Sequence, residues 1–139
     1  MELAEAVAFA RDRAQGVLCT IRRDGRPQLS NILYRFEGDI ARISVTDARA
    51  KTRNLRRDPR ASLYVAGDSF WAYLVLEGRA ELTPVARDPG DDVTEELVAL
   101  YRQAQGEHPD WEEFRRAMVD ERRLVVRFRP ERAYGVLGR

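Results

Sequence analysis

The chain of 139 residues has the length of one domain, and with 44% hydrophobic residues it can fold on its own core without disulfides or metals. A single cysteine, Cys19, and a single histidine, His108, exclude an internal disulfide, a cysteine zinc cage and a multi-histidine metal site. A formal net charge of +1 among 34% charged residues lacks the global basic field of a nucleic-acid coat, so no nucleic-acid partner is expected.

No apolar run approaches the roughly 20 residues that span a bilayer. The opening Met1-Glu2-Leu3-Ala4-Glu5 has neither the basic flank nor the apolar stretch of a signal peptide, so a cytoplasmic protein with no membrane partner is expected. Leu3, Val7 and Ala8 fall at helical spacing and predict a helix to about residue 14. Val17, Cys19 and Ile21 then alternate with Leu18, Thr20 and Arg22, a strand followed by the turn Asp24-Gly25-Arg26. A second strand is predicted over 28–36, a turn at Glu37-Gly38-Asp39, and a third strand over 40–45, giving two hairpins in a row. Apolar residues on both faces of these strands require a core on one side and a helix or partner subunit on the other.

Residues 48–58 turn polar and helical until Asp58-Pro59 stops them. A fourth strand is predicted over 61–66 and a long fifth over 71–82, with Gly78 as a bend. Pro89-Gly90-Asp91-Asp92 opens a helix whose stripe is Val93, Leu97, Leu100 and Tyr101. Asp110 can cap a second helix, with Glu113 three residues on and Trp111, Phe114 and Met118 as its core stripe. The last strand covers 124–128, with 132–136 extending it beyond a kink at Pro130. About six antiparallel strands with segregated helices read as α+β, mainly β, with a closed or nearly closed barrel over a single domain, 1–139.

The stretch from Ser44 to Leu55 carries the chemical information. Lys51 is the only lysine of an arginine-rich chain. Ser44 and Thr46 share a strand face, Thr46 or Asp47 can cap the following helix, and Arg49 and Lys51 fall at its first turn. Cations there oppose the helix dipole, at about 0.3–1 kcal/mol each, unless an anion occupies the turn. Backbone N–H groups, two hydroxyls, a guanidinium and an ammonium would then converge on one phosphate. The alternative is a solvated basic face, because Arg53, Arg56, Arg57 and Arg60 continue the run. A nucleic-acid patch is a weaker alternative, since no aromatics interleave.

Two long segments, Thr20-Ile21-Arg22-Arg23-Asp24-Gly25-Arg26-Pro27-Gln28-Leu29-Ser30-Asn31 and Arg49 through Ser62, resemble the flavin/deazaflavin oxidoreductases of split β-barrel fold. This is the pyridoxamine phosphate oxidase-like superfamily, and the chain is most similar to its F420-dependent B-type branch. Gly106-Glu107-His108-Pro109-Asp110-Trp111 and Tyr134-Gly135 add to the likeness, which covers nearly the whole chain. The resemblance implies a six-stranded antiparallel split barrel that forms a homodimer, with cofactor grooves at the interface. It implies coenzyme F420 as cofactor, FMN being the superfamily's other choice. The family's phosphate-binding positions fall on Ser44, Arg49, Lys51 and Thr52, with Ala50 between them. Asn31 matches a groove-lining position, and Trp71 and Tyr73 match a wall from the partner subunit. Arg56 or Arg60 is expected to meet an acidic cofactor tail. Genuine pyridoxamine phosphate oxidases carry a terminal tryptophan–arginine–histidine signature, which the stretch from Pro130 to Arg139 lacks, so that substrate is not expected.

The implied activity is hydride transfer between the reduced deazaflavin and a small planar unsaturated molecule. It needs no catalytic side chain, and none is assigned. His108 is expected to be a loop residue, and Cys19, between Val17 and Ile21, a small buried apolar one. A non-enzymatic cofactor or ligand carrier would use the same phosphate-holding residues.

Overall fold

The computed structural model describes residues 1–138. In chain order its elements are α1 (Leu3–Arg11), β1 (Gln15–Ile21), β2 (Pro27–Leu33), β3 (Arg35–Glu37), β4 (Ile40–Thr46) and α2 (Ala50–Arg57). They continue with β5 (Arg60–Ala66), β6 (Tyr73–Leu82), α3 (Asp92–Gln105), α4 (Trp111–Asp120) and β7 (Arg123–Val136). All strands join one antiparallel curled sheet in the order β2-β1-β5-β6-β7-β4-β3. The mainly-β antiparallel architecture with flanking helices is as expected. The strand count is seven among the described residues, where six were expected.

The additional strand comes from a break in the predicted second one. Tyr34 is buried, its hydroxyl donates to the Ala10 carbonyl at 2.7 Å, and its N–H donates to the Ala14 carbonyl at 2.8 Å. Tied to α1 through Ala10 and to the segment after it through Ala14, residue 34 is the last to face the start of β1, and the chain turns away there. β2 therefore pairs only with β1, while β3 pairs with β4. The two predicted hairpins both form, but they end on opposite edges of the sheet.

The predicted bend at Gly78 and kink at Pro130 are one feature. The two residues face each other where the β6–β7 register shifts, and a Cβ on Gly78 would lie 2.0 Å from the Arg129 carbonyl oxygen. Proline has no N–H for the ladder, so the strands accommodate it with a bulge instead of ending there. The fifth predicted strand starts later than expected, at Tyr73, because Ala72 donates to the Ser69 carbonyl in a turn that includes Trp71.

Two cores result. Leu18, Tyr34, Phe36, Ile43, Leu63, Leu74, Leu76, Leu124 and Phe128 fill the inside of the curl, with Ala6, Val7 and Ala10 of α1. On the outside, Val93, Leu97 and Val98 of α3 and Phe114 and Met118 of α4 pack over Val125. Asp91 caps α3 by accepting the Thr94 N–H, and Asp110 caps α4 by accepting that of Glu113. The helices cover only the β4–β7 side. Across β2, β1, β5, β6 and the end of β7, the outer face stays open, with Leu29 63% and Leu33 62% exposed beside Tyr64, Tyr134 and Val136. Cys19 lies on this face between Leu29 and Ser62 and is half-buried, so it is not the core residue its alternation suggested. Among the described residues no helix is long and apolar enough to cross a membrane.

Candidate functional site

Alternation along β4 sends Ile43 and Val45 into the barrel core and Ser44 toward the α3–α4 side. The β4–β7 register sets Ser44 opposite Val125 and Thr46 opposite Arg123, so β7 delivers a cation to the strand end where α2 begins. Arg123 Nη1 donates to Ser44 Oγ at 3.3 Å, and its Nε donates to Glu121 Oε1 at 2.9 Å. Ser44, Lys51 and Arg123 line a cavity of about 550 Å³. Asn31, Leu33 and Arg35 form another part of its wall, and Leu97, Leu100, Tyr101, Phe114 and Met118 of the two outer helices form the rest.

The electrostatics of this corner differ from those of the basic run that follows it. Arg56 is paired with Asp47 at 2.6 Å, and Arg60 with Asp58 at 2.7 Å. Arg57 donates to the Ile21 carbonyl at 2.7 Å and to Asn54 Oδ1 at 3.1 Å, while Arg53 stays exposed. Arg56 and Arg60, expected at an acidic tail, thus already hold carboxylates of this chain. Arg49 and Lys51 have no ion-pair or side-chain hydrogen-bond partner among the described residues. Burial first, then the guanidiniums of Arg49 and Arg123, push the Lys51 ammonium below its ordinary value. Like charges gathered at a half-buried point, of which Arg123 alone has a carboxylate partner in Glu121, make a corner that favours an anion.

The N-terminus of α2 points the same way. The residue at its cap position is Arg49, and no side chain caps the helix. Neither Thr46 nor Asp47 takes the expected role: Thr46 accepts the Thr52 hydroxyl on its carbonyl at 2.8 Å, and Asp47 is paired with Arg56 and Arg122. The first-turn N–H groups of Ala50, Lys51 and Thr52 are the ones a helix leaves without intrahelical acceptors.

The expected site residues separate into groups. Ser44, Lys51 and Asn31 meet at the cavity, with Arg49 exposed beside it. Ala50 contributes backbone, and Thr52 is fully buried with its hydroxyl on Thr46. Asn31 also lines a second depression, of about 440 Å³, with Val17, Leu33 and Tyr64 on the open sheet face. Trp71 and Tyr73 lie away from the cavity. Trp71 is 70% exposed in the β5–β6 turn against Phe70, and Tyr73 stacks on Tyr64 at 5.7 Å.

Arg123, Arg35 and the α3–α4 wall are components that sequence reasoning missed. The helix stripe Phe114 and Met118 serves core and cavity together, a dual use that periodicity does not distinguish. His108 is a loop residue, as expected: its Nδ1 accepts the Asp110 N–H at 2.9 Å, and its ring packs on Tyr101 and Phe114. The lining brings together cations, the Glu121 carboxylate, the Ser44 hydroxyl, an amide and apolar surface.

A family model described as Pyridoxamine 5'-phosphate oxidase matches residues 3–137. Among solved structures, a conserved hypothetical protein, Rv2991, from Mycobacterium tuberculosis is similar at 26% identity, covering 100% of this chain and 86% of that one, with a TM-score of 0.76. A protein described as an F420 reductase shares the fold at 24% identity, over 96% of this chain and 98% of the other, with a TM-score of 0.69. HutZ, a heme storage protein from Vibrio cholerae, shares it at 16% identity, over 97% and 95%, also at 0.69. Proteins described as a reductase and as a heme storage protein therefore share this fold.

Proposed function

Because this chain belongs to the pyridoxamine 5'-phosphate oxidase family, we propose that it is a cytoplasmic, homodimeric oxidoreductase that takes coenzyme F420, with FMN as the alternative cofactor, and exchanges a hydride with a small planar unsaturated molecule. The observation that carries the reading is Arg49 and Lys51, without an ion-pair partner among the described residues, beside a cavity of about 550 Å³ that Lys51 and Ser44 line. That volume is within the range of small-molecule sites and is far more than one phosphate needs. The donor set suits a phosphate ester: an ammonium, a guanidinium, a hydroxyl and uncapped helix N–H groups.

When bound, the cofactor supplies the hydride chemistry. The chain's residues bind and orient. Lys51, Arg49 and Ser44 would hold the phosphate, and Asn31, common to the cavity and to the sheet-face depression, would bind the remainder. The missing wall comes from a second copy. Exposed Leu29, Leu33, Tyr64, Trp71 and Tyr134 form an apolar face that a monomer leaves in water, and burying it would close the depression around Asn31 and exclude solvent.

Titration with F420 and with FMN, followed by turnover with added electron acceptors, tests the reading. Tight binding of F420, and oxidation of its reduced form only when an acceptor is present, are expected. FMN binding without F420 binding selects the alternative cofactor. Binding without turnover identifies a carrier, and binding of neither overturns the proposal.

A further inference from the structure

We infer that Arg123 is a further ligand of the anion bound at this corner, and that Glu121 is the resident carboxylate which that anion displaces from it. The inference rests on the reading that a phosphate docks beside Lys51. Arg123 belongs to another segment, the first residue of β7, and the ladder carries it to the end of β4.

Three observations support it. First, Arg123 lines the same cavity as Ser44 and Lys51, and it donates to the Ser44 hydroxyl, a group already aimed at that space. At 3.3 Å this bond lies at the long end for N–H···O, so a closer, charged acceptor would replace it with gain. Second, the two side-chain bonds of Arg123 engage only Nε and Nη1, which leaves donors of its planar fork for a phosphate. Third, its positive field reaches Lys51, which it helps to depress. Two cations that repel each other across a half-buried space are both stabilised by one anion between them.

Glu121 stands in for that anion. It lines the cavity and accepts from Arg123 Nε at 2.9 Å, yet it sits two residues away along the chain and is about half exposed. An exposed pair so close in sequence contributes little to the fold. Its effect is on the site, where it offsets one cation and competes for the guanidinium. Lys51 and Arg49 have no such resident partner among the described residues, so Arg123 is the cation whose bonding must change when ligand arrives.

The test compares ligands that differ only by the phosphate: FMN against riboflavin, and F420 against the deazaflavin without its phosphate. The affinity ratio within each pair reads the corner alone, and a general disturbance of the groove would move both members equally. In Arg123→Ala the ratio is expected to shrink by about tenfold or more, the worth of a charge-assisted hydrogen bond. Arg123→Lys, which keeps charge without the fork, should fall between, and Glu121→Gln should widen the ratio several-fold at low salt. These two milder variants decide the matter if the alanine variant does not fold. An unchanged ratio in the Arg123 and Glu121 variants, with a reduced one in Lys51→Ala, overturns the role of Arg123 and leaves the phosphate site standing. A ratio that Lys51→Ala also leaves unchanged overturns the phosphate site itself.

Discussion

Truncating Lys51 to alanine separates binding from folding more cleanly than any other change at this site. In the free protein the ammonium is half-buried, depressed by burial and by Arg49 and Arg123, and without an acceptor among the described residues. Its removal breaks no ion pair and relieves repulsion, while the lost packing of its stem is small. Stability without ligand should therefore stay within about 0.5 kcal/mol of the parent. Binding should weaken by about 1.5–3 kcal/mol, the usual worth of a hydrogen bond to a charged group. At 1.4 kcal/mol per decade this is roughly a 10- to 150-fold rise in Kd.

The same lysine sets a pH dependence. Anion binding favours the protonated ammonium, and in the free protein burial and the neighbouring guanidiniums make it give up its proton at lower pH than an ordinary lysine as pH rises. Affinity should accordingly be highest below Lys51's lowered value and fall as pH rises through it, a fall absent from Lys51→Ala. Fluorescence titration of F420 and FMN across alkaline pH measures both effects. Equal affinity in parent and variant, or parallel pH curves, would refute the placement of the anion.

The proposed dimer gives a second prediction: in size-exclusion chromatography with light scattering the parent should run as a dimer and Leu33→Arg as a monomer, because Leu33 is 62% exposed beside other exposed apolar residues. Gly78→Ala should destabilise by several kcal/mol in chemical denaturation, roughly 2 or more, since its Cβ would meet backbone at the bulge and not a side chain that can move. Asp91→Ala should cost about 1 kcal/mol through loss of the α3 cap. Burial opposes ionisation of Asp91, but N–H donors from Arg87, Thr94 and Asp88 outweigh it and hold the carboxyl at about 2. Its stabilising effect is therefore complete above the ordinary aspartate range near 3.8 and is lost as pH falls through about 2, which an acid titration followed by circular dichroism of parent and variant would show.

What sequence alone revealed was mostly local. The β1–β2 hairpin, the stripes of α3 and α4 and the Asp110 cap each depend on residues within one or two turns, and each forms as read. The bend at Gly78 and the kink at Pro130 were both legible, but not that they face each other, because register between distant strands is a tertiary property. The break at Tyr34 escaped for the same reason. Residues 28–36 read as one strand until Tyr34 is tied to Ala10 and Ala14, which belong to a helix and its exit far upstream.

The candidate site shows the same limit. Charge at a helix start drew attention to Arg49 and Lys51 without any structure. The chain itself could not show that Asp47 and Asp58 neutralise Arg56 and Arg60 while Lys51 has no partner among the described residues. Nor could it bring Arg123 beside Ser44, since only the β4–β7 ladder does so. Trp71 was placed on a strand by its apolar neighbours, but the Ser69–Ala72 turn moves it out into solvent.

The most direct test of the central claim is a crystal structure of the chain grown with F420 or FMN. The account predicts the cofactor phosphate within hydrogen-bond distance of Lys51 Nζ and Ser44 Oγ, over the first turn of α2. A cofactor bound with its phosphate elsewhere, and Lys51 turned to solvent, would contradict it.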